Sequence, residues 1–328
     1  MVQGGPIVQI SVILFSILGL WIGARLLVDA VVRLARQFGL SDLVIGLTIV
    51  AMGTSTPELA VSVDAALKGA GDLAVANVLG SNIYNLAFIL GVISLLKMIP
   101  IEKSLVHRDG IALLASTLIG GIAIFDLQIT RLEGALLVGV LVVYTVYLLR
   151  SNRSSSTVTT TQPFGDGGVA SSVTERVSFR GRDSVLLLGG LALVLVSGDF
   201  MVVAAAELAR GVGISEWVIG GTIVAAGTST PEFAVSLVAI QRGSLGVSVG
   251  NVVGSNIFNI TGILGLAALV RPLEVSGLAL ETVAWLAGIS LLIVAALWTG
   301  RALSRLEGAL FTTSEIARWI LGILGLVG

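Results

Sequence analysis

A chain of 328 residues that is 55% hydrophobic and 12% charged, with a mean hydropathy of +1.02, lies outside the range of water-soluble domains and belongs in a bilayer. A net charge of -1, with the arginines scattered between apolar stretches, leaves no basic footprint for nucleic acid. With no cysteine, and His107 as the one histidine, disulfides, thiolate ligands and multi-histidine metal sites are excluded, so the chemistry rests on oxygen.

Crossing about 30 Å of hydrocarbon takes about 20 apolar residues. On that measure the sequence predicts an all-α membrane protein with spans near 7–36, 41–68, 72–98, 108–126 and 131–150. Five more follow near 183–212, 215–242, 246–271, 279–299 and 305–327. The first apolar run, from Pro6, has no basic n-region and no small-residue cleavage site, and reads as a span rather than a signal. The stretch 151–182 is rich in Ser, Thr and Gly and reads as a flexible connector. The expected organisation is a five-helix unit over 1–150, the connector, and a second five-helix unit over 183–328.

The two units are copies. IGLTIVAMGTSTPELAVS at 45–62 returns as IGGTIVAAGTSTPEFAVS at 219–236, 174 residues later. The same offset relates NVLGSNIYN at 77–85 to NVVGSNIFN at 251–259, and RLEGAL at 131–136 to RLEGAL at 305–310. An odd number of spans leaves the chain on the far side of the membrane, so the second copy enters inverted. With the N-terminus outside, thirteen Lys and Arg fall on cytoplasmic ends and loops, against five on the other side (Lys68, Arg131, Arg210, Arg271 and Arg318). The positive-inside rule then puts both termini outside and the connector in the cytoplasm.

Gly53-Thr-Ser-Thr-Pro-Glu58 and Gly227-Thr-Ser-Thr-Pro-Glu232 fall at the middle of the second and seventh spans. Pro57 and Pro231 lack an N–H, and their rings collide with the carbonyls of Gly53 and Gly227, so both helices should break there and free backbone carbonyls. Broken helices at matched positions of two repeats mark a transport site. At the same depth lie Ser81, Asn82 and Asn85 in the third span and Ser255, Asn256 and Asn259 in the eighth. Ser81 with Asn85, and Ser255 with Asn259, are four apart and share a helix face; Asn82 and Asn256 read equally as ligands or as helix glue. A single membrane glutamate is often a protonated packing residue. Two related glutamates, each after a proline break and beside a Ser-Asn helix, with no Lys or Arg in those four cores, point to a bound cation as counter-charge. Two carboxylates, four hydroxyls and several carbonyl and amide oxygens make a hard site able to offer the 6–8 ligands that Ca2+ prefers.

GTSTPE, followed 23 residues after its glutamate by the Ser of GSNIYN and repeated at identical spacing, resembles the paired alpha-repeats of the Ca2+/cation antiporter superfamily, in particular its prokaryotic Na+/Ca2+ exchanger branch. The resemblance covers all ten expected spans. It implies a plasma-membrane antiporter that moves Ca2+ against Na+ by alternating access, three Na+ per Ca2+, with no resident cofactor, no required protein partner and no enzymatic activity. It implies Glu58 and Glu232 as central Ca2+ ligands, completed by the carbonyls of Thr54 and Thr228. It further implies flanking Na+ sites shaped by Ser55, Ser229, Ser81, Ser255 and the carbonyls of Ala51 and Ala225, with Asn85 and Asn259 supporting the centre. Proton-exchanging members carry GNA-type sequences where this chain has GTS at 53–55 and 227–229; the alternative is H+/Ca2+ exchange through the same glutamates. K+-dependent members have Asp where this chain has Asn259, which argues against K+ coupling.

Other charges read as structural. Arg25 is expected to pair with Asp29 one turn away, or with its repeat counterpart Asp199. His107, Asp64, Glu133 and Glu307 read as interfacial or packing groups. A hydrolase built on Ser55 or Ser229 finds no base, since His107 has no helical context near either and no Lys is in reach. Inverted repeats around a buried site favour stepwise exchange over a passive channel.

Overall fold

Hydrocarbon offers a peptide group no hydrogen-bond partner, so a chain this apolar closes its backbone into helices. The computed structural model describes residues 5–100, 105–155, 181–211, 225–300 and 302–323. Over these the regular elements are helices apart from four two-residue strands, joined by short turns.

The first half opens with α1 (Pro6–Phe38), which ends at Gly39, a residue of positive φ. The second expected span comprises α2 (Asp42–Ile45), a π-helical turn π1 (Gly46–Val50), α3 (Ala51–Thr54) and α4 (Thr56–Lys68). Next come α5 (Gly71–Ile83), π2 (Tyr84–Ile89) and α6 (Leu90–Leu96), then β1 (Ile99–Pro100), π3 (Leu105–Gly110), α7 (Ile111–Ile124), β2 (Gln128–Ile129) and α8 (Arg131–Ser155). The second half contains α9 (Gly181–Gly211), α10 (Ala225–Thr228), α11 (Thr230–Gln241), α12 (Leu245–Phe258), π4 (Asn259–Ile263) and α13 (Leu264–Val270). It closes with β3 (Leu273–Glu274), α14 (Leu278–Gly300), β4 (Ala302–Leu303) and α15 (Arg305–Ile323).

Among the described residues six helices are long and apolar enough to cross a membrane, and α2–α4, bent by 48° at its break, makes a seventh. The other expected spans coincide with α7, with α10–α11 and with α15, which is 19 residues long and carries Arg305, Glu307, Glu315 and Arg318. The helix of α8 runs on to Ser155; the rest of the connector up to 180 lies outside the described residues, as do 215–224 of the expected seventh span, 219–224 of the second long repeat among them, and 324–327 of the tenth.

The repeat is visible in local chemistry. Each RLEGAL copy starts its helix with the same reciprocal cap: Thr130 N donates to Glu133 Oε2 at 2.8 Å, and Ser304 N to Glu307 Oε2 at 2.7 Å. Glu133 and Glu307 are therefore capping groups. The strands pair crosswise, β1 with β4 and β2 with β3, so an offset of 174 residues turns one ladder into the other with the halves exchanged.

Two apolar cores hold the helices. The larger joins α5, π2 and α6 to α12, π4 and α13. The smaller joins Leu27, Val28 and Val31 of α1 to Val194 of α9 and to Val235, Val238 and Ala239 of α11. The approach of α12 to α2 and π1 depends on small residues: a Cβ at Gly250 would sit 2.6 Å from Leu43 O, and one at Gly46 2.8 Å from Val247 O.

Arg25 forms neither expected ion pair. Its guanidinium lies over the Trp21 ring, 4.8 Å from the centroid, and Asp29 is taken by Arg242 at 2.9 Å. Two fully buried carboxylates are ion-paired: Glu315 within α15 holds Arg318 through two contacts of 2.8 and 2.6 Å, and Asp109 of π3 holds Arg108 through two of 2.7 and 3.0 Å.

Candidate functional site

Both GTSTPE copies break their helix at the serine. In the first half α3 ends at Thr54, Ser55 takes φ -78 and ψ 14, and α4 restarts with Pro57 in its first turn. In the second, Ser229 (φ -88, ψ 6) separates α10 from α11, again with Pro in the first turn. Not every carbonyl near the breaks stays free. Thr56 Oγ1 donates to Gly53 O at 2.7 Å, and Thr230 Oγ1 to Ala226 O at 3.1 Å.

Restarting the helices there places Glu58 and Glu232 in the first turns of α4 and α11, where the helix dipole favours a carboxylate. Both are fully buried. The halves clasp each other through them: Ser55 Oγ donates to Glu232 Oε1 at 2.8 Å, and Ser229 Oγ donates to Glu58 Oε1 at 3.0 Å. Ser255 Oγ adds a longer contact to Glu232 Oε1, 3.4 Å. The second carboxylate oxygen of each glutamate, Oε2, has no hydrogen-bond partner among the described residues.

Around this pair the remaining candidate residues converge. Thr54 Oγ1 lies 3.1 Å from Val50 O and 3.0 Å from Asn251 Oδ1. Ser81 Oγ is 3.4 Å from Thr228 Oγ1, across the halves. The Ala51 carbonyl accepts from Ser55 N at 3.0 Å, and Ser255 Oγ lies 3.5 Å from it. Ala225, its counterpart, is the first residue of α10. Asn85 and Asn259 are fully buried at the mouths of π2 and π4. Among the described residues neither polar atom of Asn85 has a partner, and Asn259 Oδ1 has none. The amide of Asn259 donates to Asn82 Oδ1 at 2.9 Å, while Asn82 Nδ2 donates to Asn256 O at 3.1 Å. Asn82 thus ties the two halves together, and the Asn256 amide donates within its own helix to Val252 O at 2.7 Å.

Two further residues position the site. Asn77 Nδ2 lies 3.1 Å from Glu58 O and 2.9 Å from Ser62 Oγ. Asn251 repeats the geometry at 3.2 Å from Glu232 O and 3.0 Å from Ser236 Oγ. Each fixes a glutamate-bearing helix to its neighbour. Both stand first in the repeated nonapeptides, a signal that was present in the sequence without a chemical reason attached to it.

Electrostatically the site is one-sided. Apart from Lys68 at the end of α4, helices α2–α6 and α10–α13 contain no Lys or Arg. Five buried oxygens without partners among the described residues, Oε2 of Glu58 and Glu232 and Oδ1 of Asn85, Asn256 and Asn259, therefore sit in low dielectric on helices that carry no Lys or Arg beside them. Burial of such groups is unfavourable unless something pairs with them. An all-oxygen set of this kind suits a hard cation such as Ca2+ or Na+ and lacks the nitrogen or sulfur that zinc prefers.

The family model described as sodium/calcium exchanger protein matches residues 8–150 and 184–314. A putative antiporter CaxA of Alkalimonas amylolytica is 34% identical, covering 94% of this chain and 97% of its own. The sodium/calcium exchanger MaX1 of Methanosarcina acetivorans is 31% identical over the same shares of the two chains. Among solved structures, the sodium-calcium exchanger NCX_Mj is similar with a TM-score of 0.80 at 30% identity, covering 98% of this chain and 100% of that one.

Proposed function

Because the chain belongs to the sodium/calcium exchanger protein family, we propose that it moves Ca2+ across the plasma membrane against Na+ by alternating access at the Glu58–Glu232 site. It is a multi-pass membrane transporter of cations, not an enzyme. The observation that carries the reading is the clasp. Two buried carboxylates, each held by a serine of the other half, each keep one oxygen unpartnered among the described residues, on helices whose cores carry no Lys or Arg.

On this reading Glu58 and Glu232, with the carbonyls of Thr54 and Thr228, hold Ca2+. Ser55, Ser229, Ser81, Ser255 and the carbonyls of Ala51 and Ala225 serve the Na+ sites, and Asn85 and Asn259 present neutral oxygen. The 3.5 Å approach of Ser255 Oγ to Ala51 O supports one such grouping. The crosswise strand pairs and the reciprocal clasp support ten spans arranged as two inverted five-helix units. The lysine and arginine asymmetry supports external termini and a cytoplasmic connector.

The hydroxyl-rich breaks favour Na+ over H+ as the counter-ion. Two carboxylates balance one Ca2+, so three Na+ leave the loaded site with about one positive charge, and exchange is electrogenic. The test is Ca2+ flux in proteoliposomes at clamped pH. Flux that follows the Na+ gradient supports the assignment; flux that ignores Na+ and follows an imposed pH gradient replaces Na+ with H+.

A further inference from the structure

The two halves are alike in sequence and unlike in how they are covered. Helix α1 packs on α11 and buries Val235, Val238 and Ala239. The residues 174 positions earlier on α4 are Val61, Asp64 and Ala65: Ala65 is buried in the larger core, but Val61 is half-buried and the Asp64 side chain is 59% exposed, where Val238 is buried.

At the end of this one-sided contact, Arg242 Nη2 donates to Asp29 of α1 at 2.9 Å. The repeat does not supply the mirror pair. Asp29 corresponds to Val203 on α9, and Arg242 corresponds to Lys68, which instead holds Asp64 on its own helix at 2.5 Å. The neighbouring Arg33–Asp183 pair, at 2.7 Å, is different in kind, because it joins α1 to α9 rather than either helix to a glutamate-bearing one.

We propose that the Asp29–Arg242 ion pair is a one-sided latch, made in one access state of the carrier and broken in the other. The latch rests on the alternating-access reading above. In an inverted-repeat carrier the second state exchanges the arrangements of the halves. Helix α9 then lies over α4, and α1 leaves α11. Arg242 loses Asp29, and Val203 offers Lys68 no charge in return. The pair therefore favours the state in which α1 covers α11. Its side chains are 42% and 37% exposed, so its effect is that of a half-exposed pair. That amounts to roughly a two- to fivefold shift in the ratio of the two states.

The chain has no cysteine of its own, which makes the test direct. Asp29→Cys with Arg242→Cys, reconstituted in vesicles, is joined by a reducible bifunctional thiosulfonate that spans the two lost side chains. Asp64→Cys with Lys68→Cys, both on α4, is the control. Joining 29 to 242 should lower Na+-driven Ca2+ flux at least tenfold, with recovery on reduction, and the control should keep its flux. Full flux through the cross-linked 29–242 protein, beside a wild type that exchanges, would overturn the latch and leave the exchange reading intact. A wild type without Na+-driven flux overturns both. Neutral variants give a second measurement. Asp29→Asn and Arg242→Gln should each change the ratio of apparent Ca2+ affinities at the two membrane faces about two- to fivefold in the same sense. The reversed pair, Asp29→Arg with Arg242→Asp, should restore it. Single variants that match the wild type would also overturn the latch.

Discussion

The hydroxyl of Ser55 lies 2.8 Å from Oε1 of Glu232, so the helix break of one half holds the carboxylate of the other. Ser229 returns the contact to Glu58 at 3.0 Å. A glutamate is thus oriented by a residue on the opposite side of the pseudo-symmetry, and neither half can form the site alone.

Serine removal should act equally from either half. Ser55→Ala and Ser229→Ala each delete a hydrogen bond to a charged group, which is worth about 1.5 kcal/mol or more. We expect the Na+ concentration for half-maximal Ca2+ flux to rise roughly tenfold in both. A tenfold change in one and none in the other would contradict the equivalence of the two breaks.

Asn77 and Asn251 should matter to stability as well as to transport. Asn77→Leu or Asn251→Leu removes the amide that joins a glutamate-bearing helix to its neighbour and leaves Ser62 or Ser236 without that partner. The expected cost is about 1–3 kcal/mol. It should appear as a lowered unfolding temperature of the purified protein in detergent, with the Glu58→Gln protein as the comparison. Unchanged midpoints would mean that these amides hold nothing.

Much of this was legible in the sequence, because the features are local. Proline fixes a break wherever it falls, so the kinks before Glu58 and Glu232 follow from GTSTPE alone. The duplication follows from an offset that needs no coordinates. The π-helical turns beginning at Gly46, Tyr84 and Asn259 were not legible, since they are settled by packing between helices distant in sequence. Nor was the fate of the Gly53 carbonyl, which Thr56 caps from three residues away. Asn82 offered two readings from its rotation on the helix, and only its reach to Asn256 and Asn259 in the other half separates them. Arg25 shows the same limit: one turn from Asp29, it lies over Trp21, because Asp29 is already engaged by Arg242 from 213 residues away.

Orientation has its own test in a chain that contains no cysteine. Ser155→Cys lies at the end of α8, where the cytoplasmic connector is expected to begin. It should react with membrane-impermeant thiol reagents from the cytoplasmic side only. Labelling from outside would reverse the assignment of both termini.

Charge movement tests the stoichiometry. With two carboxylates and three Na+, one net charge crosses per cycle, worth about 2.3 kcal/mol per 100 mV. Valinomycin with opposing K+ gradients should therefore speed or slow Na+-driven Ca2+ uptake according to the sign of the imposed potential. Flux that ignores the potential would indicate a neutral exchange of two Na+ for one Ca2+.

Most direct is Na+-driven 45Ca2+ uptake into proteoliposomes made with the wild type, Glu58→Gln and Glu232→Gln. Each substitution keeps the shape of the side chain and removes one of the two buried charges that the transported cation is proposed to neutralise. Wild-type vesicles should accumulate Ca2+ when the Na+ gradient is imposed. Both variants, folded and inserted to the same extent, should fall to the level of protein-free vesicles. Near-normal uptake by either variant would contradict the placement of the transport site at Glu58 and Glu232.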